Sequence, residues 1–263
     1  MLLWHHGSPQ TGALLAPVLA AANARGIRLL SYGRPSYGGS SEQLGRTVAD
    51  AASDVAQVLD LLGIERCAVM GASGGGPHAL ACAAALPDRI TAAVTLAGIA
   101  PFPNSVDTSG TSSDTDSEAI ASWFAGMADP AGLRAAIEGR QARAAQEEIA
   151  EFEPDSFVDR DYAALEGTWS VLGDDVAAAE KWGMGGLIDD DCAFVRPWGV
   201  DLASIAAPVL LVQGGRDRVV PQHHAELLLR SIPTAELWLR PQDGHVSVLE
   251  ACGVAMDWVS ATA

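Results

Sequence analysis

Val69-Met70-Gly71-Ala72-Ser73-Gly74-Gly75-Gly76 is the stretch on which the reading of this chain turns. An apolar run from Arg66 to Met70 leads into it and an apolar helical pattern from Gly74 to Leu86 leads out, so the G-x-S-x-G spacing sits between a strand and a helix. Glycines at 71 and 75 clear side chains from a sharp turn, which lets Ser73 take a strained backbone conformation and project its hydroxyl into a cleft. The N–H of Gly74, at the start of the helix, would face the oxyanion that forms when a carbonyl becomes tetrahedral. Ser73 is therefore the candidate nucleophile. The competing reading is an ordinary glycine-rich turn with an incidental serine. A phosphate loop is disfavoured, because no Gly-Lys-Ser/Thr follows and the next basic residue is Arg89.

A serine hydroxyl is a weak nucleophile without a base, and His245 in Gln242-Asp243-Gly244-His245 follows the last strand-like run. Gly244 permits an abrupt turn that swings the imidazole over the sheet. A carboxylate must then fix the ring tautomer, and Asp217 in Gly214-Gly215-Arg216-Asp217-Arg218-Val219-Val220-Pro221 ends the preceding strand. Its competitors are a surface ion pair with Arg216 or Arg218, and Asp243 as the acid. At the N-terminus His5-His6-Gly7-Ser8-Pro9 ends the first strand: Gly7 permits close approach and the Ser8 N–H offers a second oxyanion donor. His6 is expected to support this turn by hydrogen bonding, with His5 packed behind it. The paired histidines lack further convergent ligands, so neither a metal nor a cofactor is expected.

Apolar runs recur at Met1 to Trp4, Ile27 to Tyr32, Arg66 to Met70, Thr91 to Ala97, Pro208 to Val212 and Ala235 to Leu239. They are nearly continuous rather than alternating, the pattern of strands buried on both faces of a parallel sheet. Helical patterns at Thr11 to Ala24, Glu42 to Leu62, Gly74 to Leu86, Gln222 to Ser231 and Val246 to Ser260 supply the crossovers. The fold class is α/β. The rhythm breaks between Phe102 and Pro197, where a polar loop, Asn104 to Glu118, precedes helical patches. This divides the chain into a core of 1–101 and 198–263 and an inserted lid of 102–197. The lid carries 20 of the 33 acidic residues and 6 of the 16 basic ones. Acidic groups such as Glu147-Glu148 and Asp189-Asp190-Asp191 read as a solvated face. Trp123, Phe124, Trp169 and Trp182, with Trp198 beyond the lid, are candidates for a substrate pocket or for lid core.

The 263 residues are enough for one large core but few for two. A formal charge of -17 repels phosphate backbones and makes nucleic acid a poor partner. Cys67, Cys82, Cys192 and Cys252 are widely spaced and imply no disulfide framework. No basic leader precedes His5 and no long uninterrupted apolar stretch occurs, so a cytoplasmic protein without stable membrane insertion is expected.

Taken together, these residues resemble the alpha/beta-hydrolase fold family over essentially the whole chain, the lid matching only in location. The family's His-Gly oxyanion loop is carried by His6-Gly7-Ser8-Pro9, and its glycine-rich loop by Tyr32-Gly33-Arg34-Pro35-Ser36-Tyr37-Gly38-Gly39-Ser40. Its elbow is carried by Gly71-Ala72-Ser73-Gly74-Gly75, and its acid and histidine by Asp217 and His245. The resemblance implies a mostly parallel sheet with flanking helices, of which about six strands are visible, and an inserted, mainly helical lid. Such members commonly begin with two antiparallel strands, whereas Met1 begins in what would be the third. The strand at Ile27 to Tyr32 then becomes a sheet edge, to be masked by an upstream segment, a surface helix or a second subunit in a homodimer. A serine at the elbow is similar to the esterase, lipase, peptidase and carbon-carbon hydrolase branches. It implies foremost a carboxylesterase acting through an acyl-enzyme on a neutral or cationic small-molecule ester. The alternatives are a proline iminopeptidase-like enzyme, whose His-Gly-Gly-Pro-Gly and Gly-Gly-Ser-Trp-Gly motifs this chain lacks, a carbon-carbon bond hydrolase, a perhydrolase, and a non-catalytic small-molecule binder.

Overall fold

Successive side chains of a strand point to opposite faces, and where both sets are apolar both faces must be covered. A computed structural model, which describes residues 1–103 and 114–262, has this arrangement. Strands β1 (Leu2–His5), β2 (Leu29–Ser31), β3 (Cys67–Ala72), β4 (Ile90–Leu96), β5 (Val209–Gly214) and β6 (Ala235–Arg240) form a six-stranded sheet in the order β2-β1-β3-β4-β5-β6. Every neighbouring pair is parallel. Leu3, Val69, Ala93 and Leu211 point to one face, under α2 (Asp50–Leu61), α3 (Gly75–Ala85) and α10 (His223–Ser231). Leu2, Trp4, Met70, Val94 and Val212 point to the other, under α1 (Ala16–Asn23) and α11 (Cys252–Thr262). Each such buried Leu or Val contributes roughly 1.5–3 kcal/mol. All four cysteines are buried free thiols.

Three expected helices are shorter than their sequence patterns. The first begins at Ala16 rather than Thr11, because Gly12 takes φ 87° and Thr11 is held instead by Asp175. The second begins at Asp50 rather than Glu42. Gly45 at φ 73° interrupts it, and the Thr47 N–H and hydroxyl both donate to Asp50 Oδ2 (2.6 and 3.0 Å). The last is a 3₁₀ segment, Ser247–Ala251, before α11. β2 lies at the sheet edge and is only 3 residues long, so few backbone groups are left unpaired there.

Helices α4 (Asp114–Phe124), α5 (Ala131–Glu138), α6 (Arg140–Ile149), α7 (Asp159–Glu166), α8 (Val171–Glu180) and α9 (Gly185–Phe194) are inserted between β4 and β5 as a lid. Of the polar loop expected at Asn104 to Glu118, residues 104–113 lie outside the described residues, while Asp114 to Glu118 belong to α4. The solvated acidic face expected at 189–191 is overturned, since all three carboxylates are buried. Asp189 meets Arg140 (2.7 Å), Asp190 meets Arg34 (2.6 Å) and Arg46 (2.5 Å), and Asp191 meets Arg143 (2.6 Å). Buried charge is tolerable only when paired in this way.

At the turn from β3 into α3 backbone packs directly against backbone. A Cβ at Gly71 would collide with the Gly75 carbonyl, and one at Gly75 with the His5 carbonyl at the end of β1. Gly173 in α8, by contrast, has open space around it. Gly71→Ala and Gly75→Ala are each expected to lower unfolding free energy by about 1–3 kcal/mol in urea titrations. Gly173→Ala is expected to be neutral or to raise it by about 0.4–1 kcal/mol.

Candidate active site

At the C-terminal end of β3 the chain reverses so sharply that Ser73 is held at φ 50°, in the left-handed region that non-glycine residues rarely adopt. Its N–H donates to the Leu96 carbonyl (2.8 Å) and its carbonyl accepts from the Gly76 N–H (2.9 Å), which locks the turn. The Ser73 hydroxyl lies 2.9 Å from His245 Nε2, and His245 Nδ1 lies 2.9 Å from Asp217 Oδ2. Asp217 Oδ1 accepts from the N–H groups of Val219 (2.9 Å) and Val220 (2.8 Å), which leaves Oδ2 to face the ring. The acceptor-only carboxylate sets the tautomer: Nδ1–H donates to Asp217, and Nε2 accepts from the Ser73 hydroxyl. Burial alone would favour the neutral imidazole. The charge and hydrogen bond of Asp217, joined by the charge of Asp161, outweigh it and hold the His245 pKa above its ordinary value. Asp243, the alternative acid, is instead paired with Arg160 (2.9 Å) and Arg240 (2.6 Å).

The loop after β1 lies against this turn. His6 Nδ1–H donates to the Gly7 carbonyl (2.7 Å), and Nε2 accepts from the Arg34 N–H (3.2 Å), while burial holds the ring neutral. His5 is buried behind it, with its Nε2 at 3.7 Å from Cys82 Sγ. Ser8 and Gly74 are neighbours: a Cβ on Gly74 would stand 2.5 Å from Ser8 Oγ. Neither of their N–H groups donates to another described backbone carbonyl outside the helices and strands. The Ser8 hydroxyl is anchored from above, donating to Asp190 Oδ2 (2.7 Å) and accepting from Arg34 Nη2 (3.2 Å).

Two lid carboxylates escaped the sequence reading. Asp190, at the hub of Arg34, Arg46, Tyr37 and Ser8, was hidden in an acidic run. Burial would raise its pKa, but its cationic neighbours hold the carboxyl well below the usual range. Asp161, on α7, is fully buried and accepts from the N–H groups of His245 (3.2 Å), Val246 (2.9 Å) and Ser247 (2.7 Å), and from the Ser247 hydroxyl (2.8 Å). It therefore holds the backbone that carries the imidazole. The only local signal for Asp161 was its place in the first turn of α7, where it also accepts from the Val158 N–H (3.1 Å).

Two cavities meet at Ser8 and Ser73. One, of about 510 Å³, is walled by Phe152, Phe157, Leu165, Leu172 and Leu249 and reaches His245. The other, of about 220 Å³, passes Gly74 and is walled by Leu133, Phe194 and Val220 together with Asp129, Arg143 and Asp191. Burial pushes the Asp191 carboxyl up to about 6 despite Arg143 beside it. Trp123, Phe124, Trp169 and Trp182 line neither cavity. Trp123 and Phe124 pack against Phe102 at the lid base, with centroids 5.1 and 6.1 Å away, and Trp123 Nε1–H donates to the Ala100 carbonyl (3.1 Å). Trp169 and Trp198 are buried in the two core clusters, and Trp182 is 63% exposed. These indoles, apart from Trp182, dock the lid on the sheet, and the pocket wall comes from phenylalanines and aliphatic residues instead. Among the described residues no three His, Cys, Asp or Glu side chains gather as metal ligands, and no described helix is long and apolar enough to cross a membrane.

The alpha/beta hydrolase fold family matches residues 1–251. An uncharacterised hydrolase of Bacillus subtilis is 33% identical over 66 residues, a match that spans 25% of this chain and 23% of that protein. Among solved structures, a hydrolase from Pseudomonas aeruginosa superposes with a TM-score of 0.68 at 24% identity, over 99% of this chain and 88% of its own. An enol-lactonase from Burkholderia xenovorans gives 0.69 at 20% identity, over 99% and 90%. A thermophilic esterase from Thermogutta terrifontis gives 0.67 at 19% identity, over 99% and 89%. With the fold shared along the full sheet and the family matched over nearly all of its length, the chain belongs to the alpha/beta hydrolase fold family.

Proposed function

We propose that the protein is a serine hydrolase that cleaves carboxylic esters through an acyl-enzyme. The observation that carries this reading is the chain of contacts from Ser73 Oγ through His245 to Asp217, each 2.9 Å, at the meeting point of two cavities. In the first half-reaction Ser73 Oγ bonds to the ester carbonyl carbon while His245 Nε2 takes its proton. The N–H groups of Ser8 and Gly74 stabilise the oxyanion. The carbon–oxygen bond to the alcohol then breaks, and His245 returns the proton to the departing oxygen. In the second half water attacks the acyl carbon, His245 takes and returns one proton, and the acid leaves with Ser73 restored. Asp217 stabilises the imidazolium in both halves.

A fluorophosphonate probe is expected to label the wild type and not Ser73→Ala. That variant should lose on the order of 10⁴–10⁶-fold in kcat on p-nitrophenyl esters. Prolyl arylamides assayed in parallel should be turned over far more slowly. Faster arylamide cleavage would favour the peptidase reading, and absent labelling with no turnover would favour a binder.

His245 must be neutral to act as a base, so kcat/KM should rise with pH through a pKa above the ordinary imidazole value of about 6.5. Asp217→Asn removes the charge that raises this pKa and should shift the limb to lower pH, with kcat falling on the order of 10⁴-fold. Asp161→Asn should shift the limb in the same direction by a smaller amount, because Asp161 contributes less to the rise and also holds the His245 backbone. A limb that stays put in Asp161→Asn would reduce that residue to a purely structural anchor.

A further inference from the structure

The two cavities at Ser73 differ in size, in polarity and in which of the proposed catalytic groups they reach. His245 borders the larger and not the smaller, and Gly74 borders the smaller and not the larger. The leaving oxygen of an ester must come within hydrogen-bond reach of the imidazole that protonates it. The acyl substituent lies on the opposite side of the carbonyl carbon from that oxygen, and so enters the other cavity. We infer, on the ester-hydrolase reading above, that the cavity of about 510 Å³ holds the alcohol part and the cavity of about 220 Å³ the acyl part, so that the substrates are esters of a short acyl group with a bulky apolar alcohol.

The chemistry of the walls agrees with the volumes. Phe152, Phe157, Leu165, Leu172 and Leu249 offer the alcohol part a surface that rewards every apolar atom it buries. In the smaller cavity Phe194, Leu133 and Val220 share the wall with Asp129 and the Arg143–Asp191 pair. A long alkyl or aryl acyl chain would have to cover the exposed Asp129 carboxylate without satisfying it, which is unfavourable.

Two isomeric esters test this directly. 2-Phenylethyl acetate and methyl 3-phenylpropanoate have the same atoms, the same phenyl group and similar carbonyl reactivity, but carry the bulk on opposite sides of the ester. The expected result is a kcat/KM for 2-phenylethyl acetate at least about tenfold higher, with both activities lost in Ser73→Ala. Leu172→Trp, which fills the alcohol cavity, should lower that ratio, and Phe194→Ala, which deepens the acyl cavity, should lower it by raising turnover of the propanoate. Turnover with an equal or reversed preference in the wild type overturns the cavity assignment and leaves the esterase reading standing. Absence of Ser73-dependent turnover of both isomers overturns the esterase reading and the assignment with it.

Discussion

The architecture depends on two places where one backbone passes directly against another. At the end of β1 the His5 carbonyl sits where a side chain on Gly75 would have to be, which presses the loop carrying Ser8 against the turn carrying Ser73. At the end of β5 the carbonyls of Asp243 and Gly244 occupy the corresponding space beside Gly214. That second approach brings the His245 loop over the same rim of the sheet. Parallel strands that all end at one rim make such convergence geometrically available, and the glycines turn availability into contact. Residues separated by 172 positions thereby come within hydrogen-bond distance.

Above this rim the lid is fastened by buried carboxylates as well as by the apolar side chains it shares with the two core clusters. Asp161 ties α7 to the turn after Gly244, Asp175 ties α8 to Thr11, and Asp190 ties α9 to Ser8, Arg34 and Arg46. Removing one partner of a buried ion pair such as Asp190–Arg34 typically costs about 3–5 kcal/mol, because the other charge is left unmet. Their directionality also fixes where each helix sits, which packing of Leu on Leu specifies less sharply. Part of the lid's acidity is therefore internal wiring.

The sheet was legible in the sequence because its central strands are buried on both faces, and short uninterrupted apolar runs bounded by turn residues are what such burial demands. The turn at Ser73 was legible because its glycines are required by backbone contact rather than by solvent or chance. Helix starts at Ala16 and Asp50 were misjudged where a glycine at positive φ interrupts an otherwise helical composition. The run at 189–191 was misread for a different reason. Charge in a sequence looks the same whether water or arginine answers it, and the answering arginines lie between 48 and 156 positions away. The aromatic residues stayed open between two readings for a related reason: indoles suit both a binding wall and a docking joint, and only long-range geometry separates the two uses. Asp161 was hidden because its partners are backbone N–H groups, which leave no trace in side-chain spelling.

Lid and sheet are for this reason structurally interdependent. The group that steadies the His245 turn belongs to α7, so any replacement lid would have to bring a carboxylate to this turn. The lid of this chain, moved elsewhere, would carry buried acids to places with no arginine or amide to receive them. The two parts are thus keyed to each other, and exchanging either alone would leave polar groups on both sides to be matched again.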